Sequence, residues 1–100
     1  MNEVVQVERN GGVATIRMNR PERLNAYNPE MGKALLSAVS GVSVDPSVRC
    51  VVLTGEGKAF SAGGDVEFMA TFREEGHGKF LELAILLHAL IASLRKAPKP

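Results

Sequence analysis

Two short runs of β-branched, partly alternating residues open the chain. Residues 4–9 (Val4-Val5-Gln6-Val7-Glu8-Arg9) and 13–18 (Val13-Ala14-Thr15-Ile16-Arg17-Met18) flank Asn10-Gly11-Gly12. Asn-Gly between such runs predicts a β-hairpin, because both central positions accept φ > 0. Residues 19–27 have no clean period and contain Pro21, so they read as a loop. Asn28 is suited to cap a helix with Pro29 at its first position. Met31, Leu35, Leu36 and Val39 follow at helical spacing, and Gly41 and Pro46 bound the end. After the turn Asp45-Pro46-Ser47, residues 48–54 are strand formers. The unbroken apolar run over 50–53 predicts a buried, parallel-sheet strand. A glycine-rich loop comes next. Asp65 is placed to cap a short helix through Val66, Phe68 and Met69, which Gly76-His77-Gly78 breaks. A longer helix is predicted from about Lys79 to Lys96, ended by Pro98 and Pro100. It is apolar nearly all round and needs cover on several sides, which the preceding elements do not obviously supply. The order β-β-α-β-loop-α-α is an α/β arrangement. It stops after a helix, before a next strand would pair, so the chain reads as a domain truncated at its C-terminal end.

Composition narrows this picture. One hundred residues make at most one domain, with no room for separate cofactor and substrate domains. With 45% hydrophobic and 23% charged residues, the chain falls outside the collagen-like, disordered and disulfide-scaffold classes. A net charge of +1 announces no basic face for nucleic acid. The single Cys50 cannot form an internal disulfide, which suits a reducing compartment. Met1-Asn2-Glu3 lacks the basic start and apolar run of a signal peptide. The longest apolar stretch, interrupted by His88, is well short of the ~20 residues of a bilayer span. A cytoplasmic location with no membrane partner is the expectation.

Residues 55–65 (Gly55-Glu56-Gly57-Lys58-Ala59-Phe60-Ser61-Ala62-Gly63-Gly64-Asp65) carry the candidate chemistry. A strand, a glycine loop and a helix in succession suggest anion or cofactor binding. A Walker A loop needs Gly-x-x-x-x-Gly-Lys-Ser/Thr. Here Val52 stands at its first glycine and Ala59 at its hydroxyl. The dinucleotide pattern Gly-x-Gly-x-x-Gly starts at Gly55 and Gly57 but meets Phe60 at its third glycine. The remaining possibility is an oxyanion site, in which backbone N–H groups before a capped helix point outward at developing negative charge. On spacing alone, a tight strand-to-helix turn accounts for the glycines better than a site does.

Three segments nevertheless resemble one family. They are Asn19-Arg20-Pro21-Glu22-Arg23-Leu24-Asn25-Ala26, Asp45-Pro46-Ser47 with the strand up to Gly55, and Gly57-Lys58-Ala59-Phe60-Ser61-Ala62-Gly63-Gly64-Asp65-Val66. In this order and spacing they resemble the enoyl-CoA hydratase/isomerase (crotonase) family, over the whole chain but only the front part of the family's domain. The resemblance implies an α/β fold, a crotonase-like ββα spiral of which this is the N-terminal portion. It also implies an acyl-CoA thioester as substrate, with no other cofactor and no metal, and a thioester enolate held by two backbone N–H groups. The first donor corresponds to Gly64. Arg23, Leu24 and Ala26, with the backbone of Ala62, Gly63, Asp65 and Val66, correspond to parts that hold coenzyme A. Asp65 itself reads as fixing the loop and capping the helix. Arg23 or Lys58 is a candidate for the CoA phosphates, although a solvated charge is the plainer reading of either. The family's second donor and its acid/base carboxylates belong to later segments, past Pro100. Glu67, Glu74, Glu75 and Glu82 match no catalytic position and read as solvated helix faces. Family members assemble as trimers or dimers of trimers, so a homo-oligomer is implied for the full-length form.

The remaining residues have plainer readings. His88 reads as a core or interface histidine, and His77 as a loop residue without metal-ligand spacing. Cys50 reads as a small buried hydrophobe, and Met31 and Met69 as core. Tyr27 either lines an acyl pocket or simply packs. Two functional alternatives stand beside the enzyme. One is a non-catalytic acyl-CoA-binding or interaction fragment, against which the apolar helix over 80–94 counts. The other is a serine peptidase on the same spiral, discounted because Ser61 lies in no Gly-x-Ser-x-Gly elbow.

Overall fold

The computed structural model describes residues 3–70 and 77–100. Strands β1 (Val5–Asn10) and β2 (Val13–Met18) form the expected antiparallel hairpin, with Asn10 opposite Val13. The turn is therefore Gly11-Gly12, one position later than the Asn10-Gly11 signal implied. Of the two, only Gly11 has positive φ, at 62°, the pattern of a type II′ turn with glycine at its first central position. Strand β3 (Cys50–Gly55) lies parallel to β2, Val13 opposite Cys50 and Met18 opposite Gly55. The sheet order is β1-β2-β3.

Helix α1 (Pro29–Val44) makes the crossover between the parallel strands. Asn28 caps it as expected, its Oδ1 accepting from the Met31 N–H at 2.9 Å, and Pro29 opens it where no N–H is needed. The helix does not stop at Gly41. Val42, one residue on, is buried in the core, and that packing outweighs the ~1 kcal/mol that a helical glycine costs. Pro46 sets the true end by holding Asp45 in extended backbone, φ −81° and ψ 112°. Asp45 Oδ1 then accepts from both the N–H and the hydroxyl of Ser47. These bonds hold the Asp45 carboxyl below its ordinary range. Met31, Leu35, Val39 and Val42 of α1 meet Ala14, Ile16 and Met18 of the central strand to form the core.

The expectation of a fully buried β3 is corrected. Val51 and Leu53 pack against the core, but Val52 is exposed and Cys50 only half-buried. On the face of β3 away from the core, Val52 is the exposed residue, between the half-buried Cys50 and Thr54. The outer edge of β3 meets the chain's last residue, the Val51 N–H donating to the Pro100 carbonyl at 2.8 Å. Lys99 secures that tail, its Nζ donating to the carbonyls of Val42 and Asp45 at 2.9 Å each. Each of these carbonyls at the end of α1 also accepts a main-chain N–H, from Asp45 and Val48 respectively.

Helix α2 (Val66–Ala70) is the short helix expected after Asp65. Helix α3 (His77–Lys96) starts two residues earlier than predicted. Of the expected break, Gly76 lies outside the described residues, as do Glu74 and Glu75. α3 packs along α1 with Leu83 and Leu90 buried, while Leu81, Ile85, Leu87 and Ile91 remain 38–59% exposed. The predicted shortage of cover is thus found. His88 lies on this exposed surface rather than in the core.

Gly55 marks a close approach where β3 ends. A Cβ there would collide with the Phe60 carbonyl and stand 2.7 Å from both the Ala59 carbonyl and Asn25 Nδ2. Because two of these neighbours are backbone, Gly55→Ala is expected to destabilise the protein by about 2–3 kcal/mol. A chemical-denaturation midpoint that stays at the wild-type value would contradict this.

Candidate active site

β2 and β3 run parallel, so their C-terminal ends lie on the same side of the sheet, and the two loops that leave them meet there. Ligands of open α/β sheets bind at this end of the strands. The first loop contains a 3₁₀ turn (Pro21–Arg23) followed by Leu24 and Asn25, both left-handed at φ 52° and 55°. Left-handed backbone is uncommon outside glycine and costs energy that surrounding bonds must offset. Asn25 supplies those bonds. Its side chain is completely buried, with Oδ1 accepting from the Arg20 N–H at 2.7 Å. Its Nδ2 donates to the carbonyls of Glu56 and Ala59 at 2.9 Å each. One amide side chain therefore ties the β2 loop to the glycine-rich loop.

Main-chain pairing continues from there. The Ala62 N–H donates to the Leu24 carbonyl at 2.9 Å, the Tyr27 N–H to the Gly63 carbonyl at 2.6 Å, and the Asp65 N–H to the Tyr27 carbonyl at 2.8 Å. Tyr27 and Gly64 thus form a parallel bridge. Ser61 Oγ donates to the Asn25 carbonyl and accepts from the Gly63 N–H, so its hydroxyl is occupied within the loop. Gly63 adopts φ 100°, a value side chains resist.

This pairing decides which amide is left over. Of the four N–H groups at residues 62–65, three are bonded to Leu24, Ser61 and Tyr27. Only the Gly64 N–H has no acceptor among the described residues. Tyr27 bonds the residues on either side of Gly64, so Gly64's own polar groups project to the opposite side, as successive residues of extended backbone do. Gly63 and Gly64 line a cleft of about 490 Å³ whose walls include Tyr27, Phe60, Met69 and Leu87. The lining is almost wholly apolar and holds no carboxylate among the described residues.

Asp65 closes the loop. Its Oδ1 accepts from the Phe68 N–H at 3.1 Å, capping α2, and its Oδ2 accepts from Arg20 Nη2 at 3.0 Å. The Phe68 amide and then the Arg20 guanidinium hold its carboxyl below the ordinary range, against the opposing effect of burial. A carboxylate with a depressed pKa adds stability that is complete above its unfolded pKa and lost as pH falls through that range.

The other predicted site residues fall around this frame. Ala26 is buried, its N–H donating to the Arg23 carbonyl and its carbonyl accepting from Arg20 Nη1 at 2.6 Å. Arg23 and Glu67 form an exposed ion pair, while Leu24 and Val66 are exposed. Glu82 is exposed as expected. Met69 belongs to the cleft wall rather than the core, and Tyr27 both lines the cleft and packs against the core. The Tyr27 hydroxyl is buried without a partner among the described residues, and burial pushes its pKa up. Sequence reasoning misses Arg20 and the full reach of Asn25, whose partners lie 31 to 45 residues away.

The sequence pattern of the enoyl-CoA hydratase/isomerase family matches residues 13–100. The chain belongs to that family. A Thermus thermophilus protein with a provisional enoyl-CoA hydratase name is 44% identical over 97 residues, which are 97% of this chain and 38% of that protein. The 1,2-epoxyphenylacetyl-CoA isomerase of Escherichia coli is 37% identical over 91 residues, 89% of this chain and 34% of its own length. The crystal structure of an enoyl-CoA hydratase/carnithine racemase from Magnetospirillum magneticum superposes with a TM-score of 0.90 at 34% identity, over 100% of this chain and 38% of that one. The expected crotonase-like α/β fold is therefore the observed one, and the chain spans little more than a third of these enoyl-CoA hydratase/isomerase relatives. No helix among the described residues is long and apolar enough to cross a membrane.

Proposed function

We propose that this segment supplies the first oxyanion donor, the Gly64 N–H, and part of the acyl-CoA cradle of an enzyme that hydrates or isomerises an enoyl-CoA. The observation that carries this reading is the single amide of residues 62–65 without an acceptor among the described residues, set on the wall of an apolar cleft. In hydration, water oxygen bonds to C3 of the enoyl thioester as one of its protons passes to a general base. The C2–C3 π electrons form a C1–C2 double bond, and the carbonyl π electrons move onto the thioester oxygen. The resulting enolate then takes a proton at C2. In isomerisation, a proton leaves the carbon chain and returns elsewhere through the same enolate. Either way negative charge grows on one oxygen, and a fixed N–H aimed at it binds the transition state more tightly than the substrate. The apolar walls strengthen that interaction by excluding water.

The cleft's lack of a carboxylate among the described residues means the general acid and base must come from elsewhere in the protein. The same observation favours the second reading, an acyl-CoA-binding fragment without catalysis, although the 38–59% exposed apolar residues on α3 count against a free-standing domain. One experiment separates the two. The protein is titrated with butyryl-CoA and assayed with crotonyl-CoA. Saturable binding with turnover supports the enzyme, binding without turnover supports the fragment, and no binding defeats both.

A further inference from the structure

Beside the Ser61 hydroxyl, which links the Asn25 carbonyl to the Gly63 N–H, Arg20 also bonds both strands of the bridge that carries Gly64. Its Nη1 donates to the carbonyl of Ala26, the residue before Tyr27, at 2.6 Å. Its Nη2 donates to Asp65, the residue after Gly64, at 3.0 Å. Both partners are well shielded, the Arg20 and Asp65 side chains being 13% and 9% exposed. Arg20 is itself anchored, because its N–H donates to Asn25 Oδ1 and its carbonyl accepts from the N–H groups of Arg23 and Asn25. A planar guanidinium can hold two acceptors at a fixed separation, whereas an ammonium is a single point charge on a flexible stem. Without this brace, the Tyr27 and Gly64 segments are held together by main-chain bonds and the Ser61 hydroxyl, which bonds Gly63 on the near side of Gly64.

We infer that Arg20 is a positioning residue for the oxyanion donor: through Ala26 and Asp65 it fixes the direction of the Gly64 N–H without touching substrate. This inference rests on the enolate reading proposed above. Misplacement by about 1 Å can cost roughly 10² in rate, and an interaction made in the transition state is lost from kcat rather than from KM.

The test is Arg20→Lys in the protein as its source makes it, assayed with crotonyl-CoA and titrated with butyryl-CoA. The expected result is a fall in kcat of about 10- to 100-fold, with KM and the butyryl-CoA Kd within about threefold of wild type. Asp65→Asn is the second variant, and it places an amide against Arg20 at nearly unchanged volume. It is expected to show the same split, which a role confined to stability would not produce. If both variants keep wild-type kcat per folded molecule and differ only in melting temperature, the positioning role is overturned while the enolate reading stands. A wild-type protein that neither binds nor converts these thioesters overturns the enolate reading, and the positioning role falls with it.

Discussion

Gly64→Pro is expected to lower kcat for crotonyl-CoA by roughly 10²–10³, the loss that follows removal of one oxyanion donor. Proline has no N–H, and this amide bonds nothing else among the described residues, so its removal breaks no bond within the described fold. The loss should be concentrated in kcat, because the thioester carbonyl of the ground state is a weaker acceptor than the enolate. Gly64→Ala separates donor loss from crowding. Position 64 lies outside the left-handed region, so alanine is compatible with its backbone and keeps the N–H. Its Cβ would sit 3.0 Å from Met69 Cε, the mobile end of a flexible side chain that can yield by a few tenths of an ångström. Alanine is therefore expected to keep kcat within about tenfold of wild type, since only packing changes. If proline alters the fold, replacing the amide at residue 64 by an ester deletes the same donor. Unchanged kcat in a folded ester or proline variant would remove Gly64 from the mechanism.

The sequence makes local features legible and leaves distant ones hidden. The hairpin, the Asn28 cap, the parallel strand and the Asp65 cap each depend on a few neighbouring residues, and each is found. The end of α1 falls between Gly41 and Pro46 as expected, but its exact place is not legible, because Gly41 signals a stop locally while the burial of Val42, a tertiary fact, carries the helix on to Val44. The exposure of β3 is misjudged for the related reason that an unbroken apolar run does not say how many of its faces find cover within one segment. At the site, the glycines point to Gly64 only with the help of family resemblance. Nothing in the spacing says which of four consecutive amides is spared from the loop's own bonding. That depends on Leu24, Ser61 and Tyr27 each taking one neighbour. Arg20 is equally silent in the sequence, where no local pattern gives it a partner until Asp65 is brought to it from 45 residues away.

The largest effect on stability is expected at Asn25. Asn25→Ala should destabilise the protein by about 3–5 kcal/mol, since it strands the Arg20 N–H and the Glu56 and Ala59 carbonyls at roughly 1–3 kcal/mol each, partly relieved by water. Alanine also resists the φ of 55° that residue 25 adopts, at about a further 1 kcal/mol. A loss of this size is a large share of the 5–15 kcal/mol that typically holds a domain folded. Asn25→Asp is the sharper comparison. It is nearly isosteric and still accepts from the Arg20 N–H, but it turns the Nδ2 donor into an acceptor facing two carbonyls. The resulting repulsion should make it at least as damaging as alanine at neutral pH. Protonation of that carboxyl restores a donor, so the deficit of Asn25→Asp should shrink as pH is lowered while that of Asn25→Ala does not. Urea unfolding of the three proteins at pH 7 and pH 5 measures this, and parallel pH dependence of the two variants would show that the bonds to Glu56 and Ala59 are not what holds the two loops together.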